Sequence, residues 1–225
     1  MSRKNVPPKE RKERAAARAA TCPTEAEVEV STGWFKSAYE GQPPWDIGRP
    51  QPAIIALEEQ GEVKGDVLDV GCGTGENSIF LSHRGHTTYG IDIVPRAIEM
   101  AQEKARQRHE KATFKVLSAF KLDTLGRRFD TVIDCGLFHT FDDDERECFV
   151  SGLPAAMRRG GVYHMLCFSD KATQPGPRHV TQEEIRTAFT KGVKAFRVLS
   201  IRESYFDTRR RDSRVPAWLA SIERM

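Results

Sequence analysis

The chain has 225 residues, 30% of them charged, and a formal net charge of +3, which suits one domain with a single core. The positive excess lies at the N-terminus, because the first 20 residues hold seven basic and two acidic side chains. The rest of the chain is slightly acidic. This balance argues against a dedicated nucleic-acid-binding protein, which needs a basic face on its folded domain.

The sequence also argues against membrane insertion and secretion. No apolar run approaches the ~18 residues of a membrane span, and no apolar stretch follows the basic N-terminus as in a signal peptide. The cysteines are odd in number and form no C-x-x-C pair, which argues against a disulfide framework or a structural zinc site. They are Cys22, Cys72, Cys135, Cys148 and Cys167. We therefore expect a cytoplasmic protein without a metal.

The first 52 residues divide into two segments. Residues 1–22 alternate charges with alanines and prolines, which predicts a basic flexible tail. Binding of nucleic acid or an anionic surface by this tail is a minor alternative. Residues 23–52 combine several aromatic residues with the run PPWDIGRPQP at 43–52, so we expect no single regular element over 25–52.

From residue 53 onward, helical and strand patterns alternate, which predicts a parallel α/β sheet with helices on both faces. The predicted helices cover residues 53–60, 76–84, 96–110, about 142–158 and 181–189. The predicted strands cover residues 66–70, 87–91, 114–117, 129–135, 162–168, 196–206 and 218–222.

A glycine-rich turn with Gly71, Gly73 and Gly75 follows the first predicted strand and opens a helix. Asp92 ends the next strand, 21 residues after Gly71, which is the spacing of an acid that accepts from a ribose hydroxyl. In an open parallel sheet, ligands bind at this edge. The sequence therefore predicts a cofactor that contains a nucleoside.

The charge around this turn narrows the choice of cofactor. The spacing is G-x-G-x-G followed by Glu76, where a dinucleotide site has G-x-G-x-x-G and a pyrophosphate at the helix N-terminus. Glu76 would repel a pyrophosphate, and Asp69 adds a second acid. Both favour a cationic ligand, and a Rossmann oxidoreductase remains the weaker alternative.

These motifs together resemble class I S-adenosylmethionine-dependent methyltransferases. The resemblance rests on four segments: VLDVGCGTG at 67–75, GIDI at 90–93, FDTVIDC at 129–135, and residues 153–168, which lead into and form the fifth strand. The resemblance covers residues 53–225. It implies a Rossmann-like fold: a mostly parallel seven-stranded sheet with an antiparallel C-terminal strand and helices on both faces.

The segment before these motifs is similar to the N-terminal lid of small-molecule methyltransferases, which act on thiols, thiopurines, halides, quinones or natural products. The resemblance thus implies a lid at 23–52 that covers the cofactor and borders a small-molecule substrate. The implied cofactor-binding residues are Trp34, Trp45, Asp69, Gly71, Cys72, Gly73, Gly75, Asp92, Ile93, Ser118, Ala119, Phe120, Asp134, Cys135 and Gly136. Ser118 stands where the family commonly has an acid near the adenine amino group.

Two residues are catalytic candidates. His139 follows the fourth strand, where it could deprotonate a thiol or hydroxyl or only bond a nearby loop. Tyr39 could orient the nucleophile or simply pack. Because a thiol with a pKa near ~8.5 needs little help from a base, we expect a thiol acceptor, with O- or N-methylation of a phenolic, quinone or natural-product substrate as the alternative.

The remaining features carry less information. The loop at 174–179, with Arg178 and His179, is either a specificity wall or an ordinary exposed loop, and the basic run at 209–214 is predicted to be a solvated turn. A nucleic-acid methyltransferase is a weaker alternative, because no Asn-Pro-Pro-Tyr-type motif is present. A monomer and a homodimer both remain open.

Overall fold

The computed structural model describes residues 22–190, 195–209 and 214–225. The predicted tail therefore lies outside the described residues except for Cys22. Most of the 209–214 basic run does so as well.

Within these described ranges, seven strands and six α-helices follow one another. The helices are α1 (Glu25–Ala38), α2 (Pro52–Glu59), α3 (Glu76–His83), α4 (Pro95–Gln107), α5 (Asp143–Ala156) and α6 (Gln182–Thr190). The strands are β1 (Asp66–Val70), β2 (Thr87–Asp92), β3 (Thr113–Val116), β4 (Phe129–Cys135), β5 (Met157–Phe168), β6 (Phe196–Asp207) and β7 (Arg214–Arg224). Short 3₁₀ helices cover Ala119–Leu125 and Phe138–Thr140.

The strands form one sheet in the order β3-β2-β1-β4-β5-β7-β6. The first five are parallel, and β7 pairs antiparallel with both β5 and β6. Strand order reverses between β1 and β4, where an open α/β sheet binds its ligand. The predicted fold class is confirmed.

The sheet buries an apolar cluster on each face. One cluster centres on Tyr163, Phe149 and Phe189, and the other on Ile54, Leu57 and Ile133. Because both faces are covered, successive residues of the central strands are buried, as Val67, Leu68, Asp69 and Val70 are in β1. This covering also fixes the carboxyl ends of β1, β2 and β4 as one rigid edge.

The end of α5 differs from its prediction. The helix begins as expected, at an Asp142–Glu145 capping box. It ends at Ala156, not near residue 158, because Met157 already pairs with Phe129 in β4. An irregularity in the β4–β5 register follows, and Gly160 adopts a positive φ of 76°.

The N-terminal segment, defined here as residues 22–51, contains a helix that the sequence analysis missed. A Thr24–Glu27 capping box opens α1, and the helix ends before Tyr39. Tyr39 is buried against Val94 and Ala97 of the domain. The aromatic and proline content masked this helix, although its capping box is visible in the sequence.

A disulfide joins Cys22 to Cys148, with their Cα atoms 5.2 Å apart. The argument from cysteine count and spacing against disulfides was therefore wrong in this respect. The two residues are 126 positions apart, so only the packing of the N-terminal segment against α5 brings them together. Cys72, Cys135 and Cys167 are free thiols.

Within the described ranges, no helix is both long and apolar enough to cross a membrane. Nor does any group of three or more His, Cys, Asp or Glu side chains in these ranges have an arrangement that could hold a metal.

Candidate active site

A cavity of about 1090 Å³ lies over the carboxyl ends of β1, β2 and β4. The N-terminal segment forms one wall, and loops after β3, β4, β5 and β6 form the others. Predicted site residues that line it are Trp34, Tyr39, Trp45, Gly71, Cys72, Gly73, Asp92, Ile93, Ser118, Ala119, Phe120, Cys135, Gly136 and His139. Asp69, Gly75 and Asp134 do not border the cavity and lie behind it.

The glycine turn after β1 presents backbone to the cavity. Gly71 and Gly73 have φ values of 70° and 54°, which only glycine adopts without strain. A Cβ added at Gly73 would lie 2.8 Å from the Tyr39 hydroxyl. Gly75 has a different task, because its missing side chain lets α3 pack against Phe114 and Ala101.

Asp92 holds this turn in place from the end of β2. Its Oδ2 accepts from the Gly73 N–H and its Oδ1 from the Val94 N–H, both at 2.9 Å. Burial raises the pKa of Asp92, while these backbone donors oppose the shift. Each carboxylate oxygen has more than one acceptor position, so Asp92 is still able to accept from a ligand hydroxyl.

Glu76 does not supply the free negative charge that the sequence analysis expected. Its carboxylate accepts from Lys104 Nζ at 2.8 Å and from both terminal nitrogens of Arg108 at 2.7 and 3.0 Å. Burial would raise the pKa of Glu76, but the two cations outweigh it and lower that pKa. The Glu76 side chain is therefore neutralised within the protein and does not await a cationic ligand.

Asp69 also plays a different part from the one expected. It is fully buried, and its Oδ2 accepts from the Ser78 hydroxyl at 2.7 Å. Its Oδ1 has no hydrogen-bond partner among the described residues. Burial raises the pKa of Asp69 to about 7, so its charge near neutral pH is only partial.

The loop after β3 forms a flat apolar wall. Ser118 caps the following 3₁₀ helix and accepts from the Phe120 N–H at 3.3 Å. The Phe120 ring lies 4.9 Å from that of Phe141, which also lines the cavity. Together with Leu117 and Ala119, these rings offer stacking surface for a flat base.

The N-terminal segment contributes an aromatic group at the opposite side. Trp45 Nε1–H donates to the Tyr39 hydroxyl at 3.0 Å, which leaves the Tyr39 O–H as a donor. Burial raises the pKa of Tyr39 far above its ordinary value, so this hydroxyl stays protonated. Trp34 packs its ring 5.2 Å from that of Trp45 and keeps 62% of its surface exposed.

Asp134 organises the turn after β4 from below. It accepts from the Tyr163 hydroxyl at 2.7 Å and from the backbone N–H groups of Leu137 and Phe138 at 2.8 and 3.0 Å. Burial raises the pKa of Asp134 to about 6. These bonds place Gly136 and His139 at the cavity, although Asp134 itself does not reach it.

His139 is 4% exposed and lies between the rings of Phe168 and Phe206, at 4.6 and 6.2 Å. Its Nδ1 accepts from the Phe168 backbone N–H at 2.9 Å. Burial, with Arg146 and His179 nearby, lowers the pKa of His139 to about 3. A general base that acts near neutral pH needs a pKa close to that pH and a free lone pair. The pKa of His139 is far lower and its Nδ1 lone pair is engaged, so the geometry argues against the predicted base.

Several cavity residues had not been singled out. Phe168 and Phe206 end β5 and β6, and their rings pack edge to face at 5.5 Å. Asp46 accepts from the Thr74 hydroxyl at 3.0 Å across the cavity rim. The aromatic residues that end strands carried a usable signal, because the carboxyl ends of strands face the ligand.

The loop at 174–179 also lies on the cavity. Gln174, Pro175, Gly176, Pro177 and Arg178 line it. The Arg178 guanidinium is held by Asp143 and Glu184, and these bonds fix the loop against α5 and α6. The position fits the predicted specificity wall, whose role stays a prediction.

The donor set fits a nucleoside carrying a sulfonium better than a dinucleotide. A glycine turn with no room for a Cβ, an acid at the end of β2 and apolar rings after β3 match ribose and adenine. Lys104 donates to the Thr74 hydroxyl of the glycine turn at 2.7 Å, but it is paired with Glu76 and lies 3.7 Å from Asp46, so it offers little free positive charge to a pyrophosphate. The cavity also extends well beyond these residues toward Phe168 and Phe206.

Known proteins give the same answer. Residues 67–161 match a family described as a methyltransferase domain. The chain is 38% identical over 169 residues to the 2-heptyl-1-hydroxyquinolin-4(1H)-one methyltransferase of Mycobacteroides abscessus, covering 70% of this chain and 74% of that one. It is 30% identical over 149 residues to the probable thiol methyltransferase 2 of Arabidopsis thaliana, covering 65% and 66%.

Solved structures agree. One described as "Conversion of a Disulfide Bond into a Thioacetal Group during Echinomycin Biosynthesis" superposes with a TM-score of 0.79 at 35% identity, over 86% of this chain and 92% of the other. The magnesium protoporphyrin IX methyltransferase of Synechocystis with bound S-adenosylmethionine has the same fold, with a TM-score of 0.60 at 21% identity, over 95% and 91%.

The fold and site thus define an S-adenosylmethionine-dependent enzyme. The chain belongs to the class I methyltransferases, among those that act on small molecules. The predicted family, fold, enzyme class and cofactor are confirmed. The roles of individual residues remain predictions.

Proposed function

We propose that this enzyme methylates an ionisable hydroxyl or thiol on a bulky aromatic small molecule. The aromatic end of the cavity supports this proposal, since Phe168 and Phe206 line space beyond the residues proposed for the nucleoside. The total volume of about 1090 Å³ is at the upper limit of small-molecule sites, which span about 300–1,000 Å³. A second, flat ligand beside the cofactor fits that volume better than an inorganic anion does.

Division of labour among the residues follows from their contacts. S-adenosylmethionine supplies a methyl group activated by a sulfonium charge. Asp92 receives the ribose hydroxyls, Phe120 and Ala119 pack on the adenine, and the Gly71–Gly73 backbone lies along the ligand. The N-terminal segment covers both ligands as a lid, with the Tyr39 O–H donating into the cavity.

The acceptor must ionise largely by itself. His139 has a pKa lowered to about 3 by burial, and the raised pKa of Tyr39 keeps its hydroxyl protonated. Neither side chain is suited to remove a proton near neutral pH. Acidic hydroxyls and thiols need no strong base, whereas ordinary alcohols do.

Oxygen is the first candidate acceptor. The relative named for a hydroxyquinolinone shares more identity over a longer stretch than the one named for thiols. The cavity also has the bulk for a bicyclic ring with an alkyl chain. A thiol acceptor, which the sequence analysis preferred, is the second candidate, supported by the relative named a probable thiol methyltransferase.

A substrate panel tests the proposal. Calorimetry with S-adenosylhomocysteine establishes the cofactor site first, and NAD serves as the control ligand. Release of S-adenosylhomocysteine is then measured with 2-heptyl-1-hydroxyquinolin-4(1H)-one, thiophenol, phenol and aniline. We expect turnover with the first two and little with aniline. Turnover confined to aniline would contradict the proposal, as would turnover confined to iodide and thiocyanate, which are assayed beside the panel.

A further inference from the structure

The two ring nitrogens of His139 have different surroundings. Nδ1 accepts from the Phe168 backbone N–H at 2.9 Å, in a buried contact. A backbone amide only donates, so Nδ1 carries a lone pair and the single proton of the neutral ring is on Nε2. The same contact holds the ring in one orientation.

Nε2 lies beside the cavity. A Cβ built on Gly136, which lines the cavity, would be 3.6 Å from Nε2. No described residue accepts from this N–H. The Phe168 and Phe206 rings flank the imidazole and offer no lone pair. A donor is therefore aimed at the region where the acceptor end of the cavity meets the end of β4.

The neighbourhood of this donor favours negative charge. Arg146 is buried, packs its guanidinium 4.7 Å over the Phe138 ring, lies 3.7 Å from a Glu184 oxygen through Nη1 and leaves Nη2 without a partner among the described residues. Its positive charge opposes protonation of His139. An anion near Nε2 gains from the N–H donor and from this cation, whereas an ammonium finds no acceptor on the neutral ring.

We propose that His139 is a positioning residue that donates its Nε2–H to an anionic oxygen or sulfur of the methyl acceptor. The inference deepens the proposed function, on which it rests, and narrows the substrate to compounds that bind as anions. The acceptor loses its proton to solvent on binding. Its lone pair then forms the new bond to the methyl carbon as the methyl–sulfur bond breaks, and the electron pair of that bond stays on the sulfur of S-adenosylhomocysteine. His139 neither gains nor loses a proton in this reaction.

Two variants separate this role from a base and from packing. His139→Leu removes the acceptor of the Phe168 N–H as well as the Nε2–H. Glutamine keeps an N–H that reaches the Nε2 position and also carries an amide oxygen that can accept a hydrogen bond. We expect the leucine variant to lose roughly 10- to 100-fold in kcat/KM, as for a lost hydrogen bond to a charged group, and the glutamine variant to recover most of it.

S-adenosylhomocysteine affinity should be equal in the wild type and both variants. Equal losses of kcat/KM in both variants would overturn the proposal. They would mean that the enzyme needs a base or the ring's packing at this position, and glutamine restores neither. No loss in either variant would also overturn it. If S-adenosylhomocysteine does not bind the wild type at all, the proposed function itself fails.

A measurement without turnover tests the same inference. Nitrogen-15 NMR of histidine-labelled full-length protein, with the His139→Gln variant for assignment, should show one neutral ring with its proton on Nε2 from pH 5 to 8. Titration of His139 near pH 6.5, or a proton on Nδ1, would overturn the proposal whatever substrate the enzyme uses.

Discussion

The two ends of the cavity are built in different ways. At the end proposed for the cofactor, much of the lining is backbone: the glycine turn after β1, with the Gly73 and Val94 amides bonded to Asp92. The end proposed for the acceptor is lined mainly by side chains, among them Phe168 and Phe206 from β5 and β6, with His139 at the boundary. The first end tolerates few substitutions, and the second is free to change its shape.

The difference lies in what each kind of recognition requires from the sequence. Backbone recognition depends on glycine positions and on one acid, which a short motif encodes. Side-chain recognition depends on which rings meet from distant parts of the chain, such as Phe168 with Phe206. One cofactor with many acceptors is the expected result of such a division.

The largest effect is expected at the cofactor end. Gly73→Val should abolish measurable S-adenosylhomocysteine binding, a loss of at least about 100-fold. The valine side chain in the glycine turn would collide with the Tyr39 hydroxyl, which lies against that turn. Calorimetry gives the affinity. Gly85→Ala is the control: it also has a positive φ, but nothing lies within 4 Å of the new Cβ. Equal affinity losses in both variants would point to backbone strain alone.

Reduction of the Cys22–Cys148 disulfide should loosen the other side of the cavity. A crosslink closing a loop of this length typically contributes ~2–4 kcal/mol. We expect a fall in Tm of roughly 5–15 °C with dithiothreitol, at about 2–4 °C per kcal/mol for a chain of this size. Cys22→Ser is the matched control, and its Tm should not respond to dithiothreitol. A wild-type Tm insensitive to reductant would contradict this contribution.

Asp92→Ala should weaken S-adenosylhomocysteine binding by roughly 1–3 kcal/mol, since it removes a charged acceptor and releases the Gly73 N–H. The same variant should leave binding of acceptor analogues nearly unchanged, which sharpens the separation of the two ends. Asp123→Ala, at an exposed site, controls for net charge. Unchanged cofactor affinity in Asp92→Ala would contradict a role of Asp92 in binding the ribose.

The last prediction concerns stability rather than binding, at Asp69 beneath the end proposed for the cofactor. Burial raises its folded-state pKa to about 7, above the ~3.9 of an exposed carboxyl. The folded chain thus holds this proton more tightly, and stability falls as pH rises from about 4 through 7. Asp69→Asn removes the titration, so its Tm relative to wild type should rise between pH 5 and 8.

Asp66→Asn provides the contrast for that measurement. Burial alone would raise the pKa of Asp66, but Arg158 and Arg127 lower it. Asp66 therefore stays ionised throughout pH 5–8. Its Tm difference from wild type should be flat over this range. A flat profile for Asp69→Asn as well would mean that Asp69 does not titrate in the folded protein.

Much of the fold was readable from the sequence, because its signals are local. The run at 67–75 encodes a strand, a turn and a helix start, and the structure places all three within a residue of the prediction. The helix at Glu25–Ala38 was missed where aromatic residues suggested irregular chain. The Cys22–Cys148 bond was missed because pairing through space leaves no trace in spacing.

The candidate site was only partly readable. Sequence reasoning found the positions of Asp92 and His139 but not their states. The charge of Glu76 could not be judged without knowing that Lys104 and Arg108, one helix away, neutralise it. Likewise, the proton on His139 depends on a backbone amide at Phe168, 29 residues later. Protonation follows tertiary contacts, which a motif does not contain.

Gln51 joins the N-terminal segment to the far edge of the sheet. Its amide donates to the Asp207 carbonyl and accepts from the Asp207 N–H, both at 2.9 Å. The Gln51 side chain thus pairs with the backbone N–H and C=O of Asp207 at the end of β6, as a neighbouring strand would. The N-terminal segment is thus fastened at both ends, by the Cys22–Cys148 disulfide and by these two bonds. The cavity-lining residues between the two attachment points, such as Trp34 and Trp45, therefore belong to an anchored segment rather than to a free flap.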